Sequence, residues 1–316
     1  MNVVVTGGLG FIGLTLARAL ALRDDVESMT LFDAGPPAPG LSVPAGAATV
    51  VGDVCDPEAV RALLDREDLV VFHLASIVSA GGERDFDLAV RVNLDGGRNV
   101  FEACRATGRR PRLVFASTLA VFGGSAMPET VTDDTRPAPQ TTYGATKAAC
   151  ELLVNDYTRK GFLDGRTARL PTVIIRPGAP NAAASSFASA VFREPLSGTD
   201  YALPVPLDTR LPVIGVRTAV DCLVALADLN EGFGDDRVLN LPGLSVTVEE
   251  MVESVRRVAA ERDIELGGVE VREDPAVVEI VRTWARYASA ERALALGLPQ
   301  DRDLDSIVSD YLSSTP

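Results

Sequence analysis

The stretch Asn2-Val3-Val4-Val5-Thr6-Gly7-Gly8-Leu9-Gly10-Phe11-Ile12-Gly13 limits this chain more than any other part of it. Asn2 to Thr6 is a short, β-branched apolar run, the pattern of a strand buried on both faces. It breaks into a glycine-rich turn, after which Ile12, Leu16, Ala19 and Leu20 continue at helical spacing. A strand, a glycine turn and a helix in that order hold a nucleotide pyrophosphate. The glycines let the backbone approach the phosphates, and the helix N-terminus offers unpaired N–H groups and a positive dipole end. The spacing Gly7-x-x-Gly10-x-x-Gly13 differs from the G-x-G-x-x-G form, and alone such a loop is a weak signal. A second strand, Met29-Thr30-Leu31-Phe32, ends in Asp33, twenty residues past Gly13. A carboxylate there accepts hydrogen bonds from the adenosine ribose hydroxyls and repels a 2′-phosphate, which points to NAD. The alternative for Asp33 is a turn residue before Gly35-Pro36-Pro37.

Strands and helices alternate from there. Thr49 to Gly52 reads as a third strand, followed by Asp53-Val54, and Asp56-Pro57 starts a helix with an N-cap and a proline at its first position. Asp53 lies where an adenine amino group would be met, or is a simple turn residue. Leu69 to Ala75 is a fourth strand that ends in the small residues Ala75-Ser76. His73, inside that apolar run, reads as a core histidine. A helix is expected from about Glu83 to Thr107, with close packing at the mid-helix pair Gly96-Gly97. Pro111 to Ala116 is a fifth strand running into Ser117-Thr118, and a helix spans roughly Tyr143 to Lys160. A sixth strand covers Thr167 to Ile175 with Pro171 inside it. The expected fold is α/β, a Rossmann-type doubly wound parallel sheet with a small C-terminal substrate-binding lobe. Residues 1–176 plus 213–242 would form the NAD-binding domain, and 177–212 plus 243–316 the lobe. A helix over Thr218 to Leu229 and a strand over Arg237 to Leu241 return to the sheet. Thr247 to Arg262 is an amphipathic helix whose acidic first turn, Glu249 and Glu250, suits its dipole.

The net charge of −14 argues against nucleic acid and anionic membranes as partners. No apolar run approaches the roughly 20 residues of a membrane span. Met1 leads directly into the first strand, so neither an earlier domain nor a signal peptide is expected, and the default address is the cytoplasm. Cys55, Cys104, Cys150 and Cys222 are scattered, so reduced thiols are expected and a metal site is not. Two scarcities are more telling. There is one histidine, which nearly excludes a histidine base. There are two lysines, Lys147 and Lys160, against 28 arginines. A lysine kept in such a chain can supply a compact ammonium that a guanidinium cannot. Lys160, beside Gly161 at a helix end, reads as solvated.

Tyr143 and Lys147 are four apart, on one face of a helix. A phenol titrating near 10 is a poor base at neutral pH. The ammonium is expected to stabilise the phenolate and lower that value. Thr118, at the mouth of the preceding strand, offers a hydroxyl for the substrate oxygen. Base, hydroxyl and nicotinamide on one sheet edge are the parts that hydride transfer needs. Tyr-x-x-x-Lys is common by chance, and its position after a dinucleotide fold is what gives it meaning.

This ordered set resembles the extended short-chain dehydrogenase/reductase superfamily over essentially the whole chain. The resemblance rests on the glycine loop, Asp33, Asp53-Val54, His73-Leu74-Ala75, Asn93, Ser117-Thr118-x-x-Val121-Phe122-Gly123, Tyr143-x-x-x-Lys147 and Arg176-Pro177-Gly178. It implies catalytic roles for Thr118, Tyr143 and Lys147. It implies NAD contacts from Gly7, Gly10, Phe11, Ile12, Asp33, Asp53, Val54, Leu74, Ala75, Ser76, Asn93, Tyr143, Lys147 and Pro177. Phe122 departs from the superfamily's usual tyrosine. A homodimer through segments 84–107 and 143–160 is implied by analogy.

Nucleotide-sugar dehydratases of this superfamily carry an acid pair after the catalytic threonine, where this chain has Leu119 and Ala120. The run from Arg176 through Ser189, with Arg193-Glu194-Pro195-Leu196-Ser197-Gly198, resembles members that oxidise the four-carbon sugar acid D-erythronate with NAD. The implied reaction is oxidation of the C2 hydroxyl of D-erythronate or a similar aldonate. The expected substrate contacts are Ser76, Thr118, Tyr143, Asn181 and Ser185. Arg210 or Arg217 would hold the carboxylate, since a guanidinium grips one in two places. The alternatives are a nucleotide-sugar epimerase with tightly bound NAD, a uronate dehydrogenase, and a non-catalytic NAD(P)-sensing binder.

Overall fold

Val3, Val4 and Val5 have no exposed surface, because the strand they form has a parallel neighbour on each side. A computed structural model describes residues 1–37, 42–178 and 184–314. In chain order the first half consists of β1 (Asn2–Thr6), α1 (Phe11–Leu20), β2 (Ser28–Asp33), β3 (Ala47–Val51), α2 (Pro57–Leu64), β4 (Leu69–His73), α3 (Ser79–Arg84), α4 (Phe86–Ala89), a π-helical turn over Val90–Asp95, α5 (Gly96–Ala106) and β5 (Arg112–Thr118). There follow β6 (Thr130–Val131), α6 (Thr142–Arg159), β7 (Asp164–Leu170), β8 (Thr172–Ile174), α7 (Phe187–Leu196), β9 (Tyr201–Leu203), β10 (Arg210–Gly215) and α8 (Val216–Asp228). The chain closes with β11 (Val238–Asn240), β12 (Leu244–Thr247), α9 (Val248–Glu261), β13 (Val269–Val271), α10 (Pro275–Val281), β14 (Tyr287–Ala288), α11 (Glu291–Ala295) and α12 (Leu304–Ser314).

The main sheet is parallel and seven-stranded, in the order β3-β2-β1-β4-β5-β7-β11. The order reverses between β1 and β4, so the crevice at their carboxyl ends is the ligand position of a doubly wound fold. Its core packs Val4, Phe32, Val71 and Phe115 of the strands against Leu64 of α2, Phe101 of α5 and Val154 of α6. The sheet ends at β3, where Val51 is 65% exposed. Asp56 caps α2 by accepting from the Glu58 and Ala59 N–H groups, with Pro57 first in the helix as the sequence predicts.

Two expectations are corrected. The helix expected over Glu83 to Thr107 is broken once, at Asp85, and from Phe86 to Ala106 it runs on through α4, a π-helical turn and α5. Asp85 breaks α3 and caps α4 by accepting from Leu88 N–H, and the π-helical turn precedes α5. The Gly96-Gly97 pair does serve close packing: a Cβ on Gly96 would lie 2.8 Å from Val54 Cγ2, and one on Gly97 3.1 Å from Cys150 Sγ. The sixth strand is two strands. Pro171, which has no N–H to donate, ends β7, and β8 pairs with β10 in a separate sheet.

The chain divides into two units. The first comprises Met1–Val121, Thr141–Arg169 and Val220–Leu239 and contains nearly all of the main sheet. The second comprises Phe122–Gln140, Leu170–Ala219 and Asn240–Pro316. It is built on the sheet β12-β10-β8 and the pairs β13-β9 and β14-β6. Its core joins Phe187 and Phe192 of α7, Val213 of β10, Met251 and Val255 of α9, and Ile307 of α12. The helix read from Thr247 onward begins with a capping box between Thr247 and Glu250.

Candidate active site

Thr118 is the last residue of β5 and Tyr143 stands in the first turn of α6, both in the first unit. Thr141 starts that helix by accepting the Gly144 N–H at 3.0 Å, and Glu83 accepts the Thr142 N–H at 2.9 Å. The Thr118 hydroxyl lies close enough to the Tyr143 phenol to act on its titration, and it accepts the Ala120 N–H at 3.1 Å. Lys147, one turn on, is 3% exposed. Its Nζ donates to the Ala116 carbonyl at 2.8 Å and lies 4.7 Å from the centroid of the Phe115 ring. The structure therefore brings Thr118, Tyr143 and Lys147 together at the carboxyl end of β5.

The electrostatics differ from the sequence expectation. Burial pushes the Tyr143 phenol up to about 12, only partly offset by the Thr118 hydroxyl. The Lys147 ammonium is engaged by the Ala116 carbonyl and the Phe115 face, and it is 5.8 Å from the centroid of the Tyr143 ring. Burial also brings Lys147 down to about 8.

The glycine loop lies at the other side of the same crevice. Gly7 has φ +71°, and a Cβ there would come within 2.6 Å of Ala75 N. A Cβ on Gly13 would meet Gly7 O at 2.4 Å, so that glycine lets α1 close on the loop. Gly10 differs: it is exposed, and its Cβ would meet only Gly7 O, at 3.3 Å. As N-cap of α1 it offers no side chain, and the first turn holds no acidic residue, so Phe11 and Ile12 begin a helix whose positive end is not capped by a side chain among the described residues. Asp33, at the end of β2, accepts the Leu9 N–H at 3.0 Å and the Ala34 N–H at 2.8 Å, which aims its carboxylate across the loop. A bare helix end with an oriented carboxylate beside it is a donor and acceptor set that fits the pyrophosphate and ribose of a dinucleotide.

The remaining predicted cofactor residues take varied places. Asp53 is exposed past β3, and the Cys55 N–H that it accepts at 2.9 Å holds it below the usual carboxylate range. Val54 is buried behind it, and Leu74 and Ala75 are half-buried past β4. Asn93, in the π-helical turn, accepts from Ile77 N–H at 2.7 Å and Ser76 Oγ at 3.1 Å. It donates to Ile77 O at 3.0 Å and to Thr146 Oγ1 at 3.2 Å, so it straps the Ser76–Ile77 loop to α6. His73 is fully buried, bonded through Nδ1 to Thr6 Oγ1 at 2.6 Å, and burial brings it down to about 3, so it is neutral.

Pro177, Ser185, Arg210 and Arg217 belong to the second unit. Pro177 is half-buried, and Ser185 sits in a single 3-10 turn ahead of α7. Arg210 is half-buried, donates to Ser245 O at 2.7 Å and lies 5.2 Å from the Tyr287 ring centroid. Arg217 is 72% exposed, with Asp310 at 3.4 Å, an ordinary surface pair. Asn181 lies outside the described residues. Among the described residues, no three His, Cys, Asp or Glu side chains gather as a metal site, none of the four cysteines is in a disulfide, and no helix is long and apolar enough to cross a membrane.

Sequence reading missed one group at this site. Glu151 and Arg169, both buried, form a two-pronged ion pair, and Glu151 also accepts from Ser117. The available signal was the four-residue series 143, 147, 151.

Residues 3–241 match the family described as NAD dependent epimerase/dehydratase. The chain is 46% identical to a D-erythronate dehydrogenase of Cupriavidus necator, covering 99% of this chain and 98% of that one. It is 38% identical to a D-erythronate dehydrogenase of Haemophilus influenzae, covering 99% of each. A solved structure titled as the nucleoside-diphosphate-sugar epimerase from Agrobacterium tumefaciens superposes with a TM-score of 0.91 at 39% identity, covering 99% of this chain and 94% of that one.

Proposed function

The chain belongs to the NAD dependent epimerase/dehydratase family, and on that premise we propose that it is an NAD-dependent dehydrogenase of a small sugar acid, oxidising the C2 hydroxyl of D-erythronate or a close aldonate. The observation that carries this reading is the Thr118–Tyr143–Lys147 cluster at the end of β5, on the same sheet edge as the bare N-terminus of α1. Gly7, Gly10, Phe11 and Ile12 would cradle the pyrophosphate of NAD, and Asp33 the adenosine ribose. Bound NAD supplies a hydride acceptor and a positive ring charge. Thr118 would hold the substrate oxygen, and Tyr143 would take the proton of that hydroxyl as the phenolate, the form that the positive charges of bound NAD and Lys147 favour against the burial that raises the phenol. Lys147 contributes a fixed positive charge beneath the phenol, which favours proton release from the substrate. With Leu119 and Ala120 after the threonine, dehydratase chemistry lacks its acid and base.

The substrate carboxylate is assigned to Arg210, whose guanidinium is oriented by Ser245 and Tyr287. Ser76, Asn181 and Ser185 remain as proposed hydroxyl contacts. The cytoplasm is the proposed address. A homodimer through segments 84–107 and 143–160 is proposed too, supported by Leu152 of α6, which is 72% exposed.

The test is a steady-state assay of NADH formation with D-erythronate, D-threonate and hexuronates. Turnover of erythronate at the highest kcat/KM is expected; no NADH from any sugar acid overturns the proposal. A nucleotide-sugar epimerase is the second reading, favoured by the name of the Agrobacterium structure. It requires NAD that stays bound through purification with no net turnover.

A further inference from the structure

Two consecutive residues of β5 are bonded to residues one turn apart on α6, and a third pair lies beside them. Ala116 O accepts from Lys147 at 2.8 Å, Ser117 Oγ donates to Glu151 Oε1 at 2.5 Å, and the Thr118 hydroxyl lies by the Tyr143 phenol. A spacing of four keeps 143, 147 and 151 on one helix face, so these contacts lock helix and strand in a single register. Glu151, 2% exposed, is itself held from the next strand of the sheet. Arg169 of β7, 4% exposed, donates from Nε to Oε1 at 3.0 Å and from Nη2 to Oε2 at 2.8 Å. Desolvation cancels much of the Coulomb gain of a buried pair, so such a pair is a poor source of net stability. Its two-pronged geometry fixes where the carboxylate points.

We propose that Glu151, clamped by Arg169, is a positioning residue of this site: it sets the register of α6 against the end of β5 and supplies the countercharge beside which the Lys147 ammonium is buried. This rests on the catalytic reading of Thr118, Tyr143 and Lys147 given above. The groups facing Lys147 are Tyr143, Cys150 and Glu151 from α6, His73 from β4, and the Phe115 ring and Ala116 carbonyl from β5, with Arg169 of β7 facing Glu151. His73 is neutral, and burial raises the Cys150 thiol to about 11 and the Tyr143 phenol to about 12. Glu151, gripped in two places by the Arg169 guanidinium, is the acidic side chain among these groups that is paired with a cation.

The chain's two lysines make the test direct. Protein labelled with 13C at lysine Cε gives two resonances, and Lys160→Arg identifies the one belonging to Lys147. In Glu151→Gln the Lys147 titration midpoint is expected to fall by at least about half a unit from its wild-type position, because the countercharge is gone while Arg169 stays. In Ser117→Ala, which keeps the ion pair, the midpoint is expected to stay and kcat to fall about three- to tenfold with KM for NAD unchanged, a loss confined to alignment of the reacting groups. Should Glu151→Gln not fold, Ser117→Ala decides alone. A folded Glu151→Gln protein with an unmoved Lys147 midpoint, or a Ser117→Ala enzyme with wild-type kcat, overturns the proposal. The lysine titration needs no substrate, so a wild-type protein inert toward sugar acids would defeat the proposed function and leave this test standing.

Discussion

The Lys147 ammonium donates to the carbonyl oxygen of Ala116 at 2.8 Å while buried against the Phe115 ring, and burial lowers it to about 8. In the unfolded chain the same group titrates near 10.4. Between those values the unfolded state keeps the proton and the folded state has released it. The Lys147 contribution to stability therefore rises with pH over that window. Activity should move the opposite way, since the charge beneath the phenol is being lost. From pH 7.5 to 9.5 the urea midpoint of wild type relative to Lys147→Met is expected to rise while wild-type kcat falls, and Lys147→Met should lose most of the activity. The difference cancels the opposite slope of the Cys55, Cys104 and Cys150 thiols, which burial raises.

Tyr143→Phe deletes the proton acceptor and leaves the ring that packs above Lys147. We expect kcat to fall about 10²- to 10⁴-fold, the range general-base removal produces, with NAD affinity and melting temperature near wild type. Stopped-flow NADH formation and calorimetric NAD titration separate the two effects. Thr118→Val should show a smaller loss of the same kind.

The glycines of the first loop should separate by role. Gly7→Ala puts a Cβ against Ala75 N at a positive φ, and should lower stability by about 1–3 kcal/mol. Gly10→Ala meets only Gly7 O at 3.3 Å, so the fold should survive while NAD affinity drops, because the exposed face is the one a pyrophosphate would touch. Melting curves with and without NAD read both outcomes.

Asp33→Ala removes the carboxylate that repels a 2′-phosphate and the acceptor of the Leu9 N–H. The ratio of kcat/KM for NAD over NADP should fall at least about tenfold, about 1.4 kcal/mol of lost discrimination. An unchanged ratio would refute the ribose role.

The two candidate arginines should respond unequally. Arg217→Ala removes an exposed surface pair, and kcat/KM for the sugar acid should change less than about twofold. Arg210→Ala should raise KM for the acid about tenfold or more, as loss of a charge-assisted hydrogen bond does.

What could be read before folding was what neighbouring residues decide among themselves. The glycine turn after β1, the Asp56-Pro57 helix start and the Thr247–Glu250 cap are local chemistry, and each appears where its residues stand. The π-helical turn at Val90–Asp95 was invisible, because an apolar stripe with one extra residue still scans as a helix. Pro171 was visible as an interruption, but its consequence, the passage of β8 into another sheet, depends on β10 some forty residues on. The Lys147 electrostatics went the same way: the four-residue spacing puts the ammonium near Tyr143, and only the fold reveals that Ala116 claims it. Position 151 continues the four-residue series from 143 and 147, but its partner Arg169 lies on a later strand, and nothing local marks those two charged residues as meeting in a dry interior.

The open flank of β3 has a colloidal consequence. Among the described residues no further strand pairs with the outer row of amide and carbonyl groups of β3, which is an edge on which two molecules can zip together. Mutual repulsion between chains each carrying −14 holds that pairing off near neutrality. As acid titrates the surplus carboxylates, light scattering should rise before the far-ultraviolet signature of the fold is lost.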